Sequence, residues 1–303
     1  MECCWTRRIS RRLSWIWSCC EYVLYDRCAS TDLICRPFGT ANALYYSLFP
    51  PESLLTPLTS VLSPYYSLVS SLRRSTANSF PPKSLILAHN SFSDGTIPKV
   101  ITSVVTSAAL HASILLDAEE LRESHPGVER FKIAAMKNVT TWWDGRLILQ
   151  DASLYNPATK SFLPIESSAE GSDSKNKGEL VCDGPFSYFV SALVDRFEPN
   201  FIVAPLRSAA DPTTPSIDIV LIRPLRDTFT QSLLDDGRTT PEAVREQFVK
   251  RIWGCTGGMY DGGKHVDMRF EGGDEDLVVE YYRCGSYTWT PVSTFYIIVL
   301  PRS

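Results

Sequence analysis

Apolar and polar positions change rhythm several times along this chain. Over residues 42–48 apolar side chains cluster at helical spacing, and Pro50-Pro51 stops the run. A second helix is expected over 62–72, ending in Arg73-Arg74. After Pro81-Pro82 the texture turns β-branched and alternating, over 84–91 and 100–116, with a turn at Asp94-Gly95. The next helix opens near Pro126, with Ser124 or His125 as cap and Val128, Phe131, Ala135 and Val139 on one face. Strands are expected over 146–154, 186–193, 201–204 and 217–223, the last apolar enough to be buried. Thr240-Pro241 starts a helix in which Val244, Phe248 and Ile252 recur. Residues 264–270 and 277–283 flank an acidic turn and read as a hairpin, and 295–300 as a further buried strand.

The pattern is α+β: a short α-rich start, a boundary near residue 80, and a mostly β remainder. Residues 166–179 are Ser, Gly and charge, and read as a flexible surface loop. At 303 residues the chain is long enough for one large or two moderate domains. A net charge of -4 gives no general attraction to nucleic acid. No apolar run reaches the roughly 18 residues of a membrane span. The Arg-rich start lacks the apolar core of a secretory signal, so a cytoplasmic location and reduced thiols are expected.

Six of the nine cysteines fall in residues 1–35, without zinc-site spacing. Within that segment Arg7, Arg8, Arg11 and Arg12 alternate with Ile9, Leu13, Trp15, Ile16 and Trp17. Such a helix suits the surface of an intracellular membrane, with neighbouring cysteines available for acylation. The same residues also fit an unstructured or misassigned start. The Gly-rich run from Cys255 to Gly263 lacks phosphate-loop spacing and reads as a plain loop. His111, in an apolar stretch, reads as a core histidine.

Five segments in order carry a resemblance. Pro37-Phe38-Gly39-Thr40-Ala41-Asn42-Ala43-Leu44 is followed by Leu110-His111-Ala112-Ser113-Ile114-Leu115-Leu116-Asp117 and by Gly127-Val128-Glu129-Arg130-Phe131. Then come Pro215-Ser216-Ile217-Asp218-Ile219-Val220-Leu221-Ile222-Arg223-Pro224 and Glu280-Tyr281-Tyr282-Arg283-Cys284-Gly285. Over roughly residues 36–290 this order resembles the diacylglycerol kinase catalytic-domain superfamily, in its sphingosine-kinase-like branch.

The resemblance implies a remnant of a Rossmann-like nucleotide domain at 36–80, after an atypical Cys/Arg-rich 1–35. It implies a β-sandwich-type lipid-kinase domain over 81–303. The implied activity is phosphorylation of a sphingoid base or related long-chain lipid, with ATP and Mg2+ as cofactors. Gly39, Thr40 and Asn42 match the nucleotide motif, where helix-start N–H groups meet phosphate. Asp117 matches the aspartate that takes the lipid head group, and Arg130 a basic residue that meets the ATP phosphates. Each residue has a plainer reading. Gly39 also suits a tight turn, Asn42 a helix cap, Asp117 a helix N-terminal acid, and Arg130 an ion pair with Glu129 or an exposed neighbour.

The chain departs from the family pattern at both ends. The family's Gly-Gly-Asp-Gly loop and its closing Asp-Gly-Glu are absent from this sequence, and the second basic position falls on Ser124. A non-catalytic lipid-binding relative and a truncated gene product are therefore the alternatives to an active lipid kinase.

Overall fold

In the computed structural model, which describes residues 23–27, 30–34, 43–48, 86–91, 100–165, 179–210, 214–271, 276–292 and 298–301, the alternating segments form antiparallel sheets. β1 (Val23–Arg27) and β2 (Ser30–Ile34) make a separate hairpin, and α1 (Ala43–Leu48) follows. Then come β3 (Ala88–Asn90), β4 (Val100–Ala108), α2 (Ala109–Glu120) and α3 (Glu129–Asn138). Five strands succeed them: β5 (Gly145–Gln150), β6 (Ser153–Asn156), β7 (Ser161–Pro164), β8 (Glu179–Asp183) and β9 (Tyr188–Ala192). The rest is β10 (Ile217–Ile222), α4 (Thr228–Asp236), α5 (Pro241–Tyr260), β11 (Glu280–Cys284), β12 (Ser286–Pro291) and β13 (Ile298–Pro301).

The large sheet runs β13-β4-β9-β10-β11-β6-β7, with β3 also on β4, and the small one β12-β5-β8. Every pairing among the described strands is antiparallel. The α+β expectation is met. At the centre, β10 is covered on both faces. Ile219 and Leu221 pack with Leu147, Leu149 and Cys182 of the small sheet. Val220 and Ile222 share the opposite core with Leu110 and Leu115 of α2 and Phe248 and Ile252 of α5. A strand buried on both faces needs apolar side chains at odd and even positions alike, which is why its sequence does not alternate. Ala43 and Leu44 of α1 join that second core.

The one charge inside β10, Asp218, is fully enclosed. Its Oδ1 accepts from Arg207 Nη1 (3.1 Å) and Arg283 Nε (2.8 Å), and its Oδ2 from Arg283 Nη2 (2.9 Å) and Tyr281 Oη (2.6 Å). Two guanidiniums and a phenol thus solvate one buried carboxylate, and the Arg283 guanidinium lies 4.3 Å above the Phe162 ring.

The structure corrects several sequence readings. The 100–116 stretch is not one strand. The strand ends at Ala108, and Ala109, at φ 55°, turns the chain into α2, so His111 and Asp117 are helical. A left-handed alanine is a tertiary demand that apolar periodicity does not register. Asp117 lies in the last turn of α2 and not at a helix start, and its carbonyl accepts from Leu121 N at 3.0 Å. Residues 201–204 are not a strand either. Ile202 makes an isolated bridge to Arg196, and the N–H groups of Val203 and Ala204 both donate to the Asp195 carbonyl. The expected hairpin after residue 264 shrinks to a 3-10 turn (Lys264–Asp267) and a single bridge, Arg269 to Leu277. The helix expected from Pro126 begins only at Glu129. The second helix at 62–72, the turn at Asp94-Gly95 and residues 166–178 of the expected loop lie outside the described residues, while Glu179 begins β8.

The run from Cys255 to Gly263 is not a plain loop, because α5 continues through Gly257 and Gly258 to Tyr260. Gly258 is there for space: a Cβ would sit 2.6 Å from the backbone N of His265 and 2.8 Å from its Cα. At Gly257 a Cβ would meet nothing within 4 Å. Helix propensity favours Ala at both sites by about 1 kcal/mol. Gly257→Ala is therefore expected to raise the urea midpoint. Gly258→Ala should lower it, by about 1–3 kcal/mol of overpacking. Shifts of the same sign in both variants would refute the close approach of helix and turn.

Candidate functional site

α2 and α3 pack on one another, which brings the last residues of α3 to the final turn of α2. There Asp117 Oδ2 accepts a hydrogen bond from Asn138 Nδ2 at 2.7 Å and meets Lys137 Nζ at 3.0 Å. The Asn138 amide donates a second bond, to Ala134 O at 2.9 Å, and so is fixed on its own helix. Oδ1 of Asp117 takes no hydrogen bond from a described residue. The Asp117 side chain is 13% exposed and that of Lys137 65%. Asp117 is a sheltered carboxylate with one oxygen committed and one open, while Lys137 reaches it from the surface. The hydrogen bond to Asp117 raises the Lys137 pKa, so its ammonium stays charged.

Arg130 is buried in the first turn of α3. Its Nη1 donates to Pro126 O (2.8 Å) and Gly127 O (3.0 Å), and its guanidinium lies 4.7 Å from the Phe131 ring centre. No carboxylate pairs with it among the described residues, so the ion pair with Glu129 is not formed. Burial lowers its pKa, helped by Arg122 and opposed by Glu119, which Arg122 Nε meets at 2.8 Å. Arg130 Nε is buried without a hydrogen-bond partner. In this conformation Arg130 ties the loop before α3 to the helix and keeps one donor in reserve. Gly39, Thr40 and Asn42 lie outside the described residues, as does the basic segment around Arg7–Arg12.

His111 Nδ1 is 2.8 Å from Ser107 Oγ, and the ring contacts Tyr188 and Phe197. Burial pulls its pKa down to about 4, so it is neutral at pH 7. It is a core histidine, with a helical backbone in place of the strand expected for it.

The sequence reading missed Lys137 and Asn138. Neither forms a motif with Asp117, since the contact depends on how two helices pack. It also missed the buried Asp195–Arg196 pair (3.2 Å), in which Asp195 Oδ1 has no hydrogen-bond partner. An ion pair between chain neighbours has no spacing to reveal it. Among the described residues no cluster of three or more His, Cys, Asp or Glu could hold a metal ion. No described helix is long and apolar enough to cross a membrane. No family model matches the chain, and no curated protein matches it.

Proposed function

We propose that this chain is a lipid-kinase relative of the sphingosine-kinase-like kind. It seats the amine or hydroxyl of a long-chain lipid head group, a sphingoid base or a related lipid, on Asp117. The observation that carries the reading is the half-committed carboxylate. Asn138 fixes Oδ2, while Oδ1 is left to accept from a ligand. The ordered resemblance of five sequence segments, in which Asp117 is the head-group position, supports it.

The family reaction moves a phosphoryl group from Mg-ATP to the lipid hydroxyl. Holding that nucleotide takes phosphate donors and a set of metal ligands. Among the described residues Arg130 Nε is one buried donor without a partner, and a metal-holding cluster is lacking. The described residues do not fit Mg-ATP, so no step is routed through it. The Rossmann-like remnant, with Gly39, Thr40 and Asn42 on the phosphates, belongs to the proposal alone. So does recruitment to a peripheral membrane surface. A second reading, a lipid binder without kinase activity, is favoured by the absence of Gly-Gly-Asp-Gly and Asp-Gly-Glu from the chain.

The test is binding to phosphatidylcholine vesicles that carry sphinganine, followed by label transfer from radioactive Mg-ATP. Asp117→Asn removes the charge and should weaken binding about tenfold or more, as expected for loss of a charge-assisted hydrogen bond. Label on the lipid identifies a kinase. Asp117-dependent binding without label, and without a Tm shift on adding Mg-ATP, identifies the second reading. Binding indifferent to Asp117→Asn would overturn both.

A further inference from the structure

Resting on that reading of Asp117, we infer that Lys137 is an internal counter-ion that neutralises the carboxylate until an ammonium-bearing lipid, seated on Oδ1, displaces it. Asn138 holds the carboxylate still through the exchange. The two partners of Oδ2 differ in the way an exchange requires. Asn138 is anchored at both ends of its amide, by Asp117 at 2.7 Å and by Ala134 O at 2.9 Å. Lys137 places its ammonium 3.0 Å from the same oxygen on a long side chain that is 65% exposed, so it can swing into water at little cost. The carboxylate is 13% exposed, and Lys137 is the cation paired with it among the described residues. An ammonium from outside replaces the Lys137 charge one for one, and the site stays balanced. A neutral hydroxyl on Oδ1 leaves Lys137 in place, because it brings no like charge against the ammonium. Lys137 therefore competes with cationic head groups alone, and it sets the threshold that such a ligand must exceed.

The experiment measures binding of the full chain to phosphatidylcholine vesicles carrying sphinganine, and to vesicles carrying diacylglycerol. Removing the competitor with Lys137→Met should tighten sphinganine-vesicle binding about two- to fivefold, the worth of an exposed ion pair. Diacylglycerol vesicles should show no such gain. Lys132→Met is the control for net charge, because Lys132 is exposed on the same helix and makes no contact with Asp117. It should leave the affinity unchanged. Lys137→Arg keeps a competing cation and should restore the original affinity. In an Asp117→Asn background Lys137→Met should have no further effect. Equal gains from Lys137→Met and Lys132→Met, or no gain from either, would overturn the inference while leaving Asp117 as the head-group site. Loss of all dependence on Asp117 would remove that site and the inference together.

Discussion

Asp218→Ala is expected to cost about 3–5 kcal/mol, the penalty for leaving buried charge without its partner. The variant removes the shared acceptor of Arg207, Arg283 and Tyr281 at the centre of the large sheet. Arg207 has a side chain only 6% exposed and gains no water when the carboxylate goes. Arg283 is 21% exposed, but its Nη2 stays tied to Leu206 O at 2.9 Å. Domains of this kind are held by about 5–15 kcal/mol in all, so much of the protein should be unfolded or aggregated on expression. Asp218→Asn keeps the shape and one acceptor and should lose less. The check is the urea midpoint of both variants against the parent. A loss within about 1 kcal/mol for the alanine variant would mean that the two arginines find other partners or water.

The second large effect is acid lability. His265 is fully enclosed, its Nε2 3.0 Å from Val203 O. Burial lowers its pKa from 6.5 to about 4, against smaller upward pulls from the Val203 backbone, Asp267 and the Gly263 backbone. Above pH 6.5 the ring is neutral whether the chain is folded or not, so its contribution to stability is complete there. Between pH 6.5 and 4 the unfolded chain takes up a proton that the folded one refuses. Stability therefore falls as pH drops through that window, by about 3 kcal/mol for this residue. His111, also lowered by burial to about 4, adds a loss of the same sign. Urea midpoints at pH 7 and pH 4.5 measure the drop. His265→Gln retains a donor for Val203 O and should show a clearly smaller difference between the two pH values. An undiminished drop in that variant would sink the assignment.

The sequence is most legible where a single residue's surroundings are set by its own strand or helix. The apolar run at Ile217–Ile222, broken only by Asp218, announces a strand covered on both faces, and Val244, Phe248 and Ile252 announce the inner stripe of α5. It is least legible where tertiary contact decides. Ala109 ends a strand within an apolar stretch that suits strand and helix equally. Gly257 and Gly258 look like a helix break, yet one is open to water and the other is required by the approach of His265. The same division holds at the candidate site. Asp117 stands out through its resemblance to a head-group aspartate. Lys137 and Asn138 do not, because their meeting with it depends on how α3 lies along α2. The inward turn of Arg130 onto the carbonyls of Pro126 and Gly127 is likewise a matter of loop path, to which residue type is blind.

The two edges of β4 are covered by segments far apart in the chain. β13 lines one edge from Thr102 to Ser107, through the pairs Pro301 with Thr102 and Ile298 with Ser107, while β3, from Val100 to Thr102, and β9, from Val105 to Ala108, share the other. During synthesis β4 leaves the ribosome long before residues 298–301 exist. For that interval one of its two edges offers unpaired N–H and C=O groups to whatever strand comes near. Non-local pairings of this kind are rewarded only after a long loop has closed. The sheet is thus sealed last on the strand that was made among the first, and a ribosome that stalls before residue 298 releases a chain whose longest described strand is open along one side.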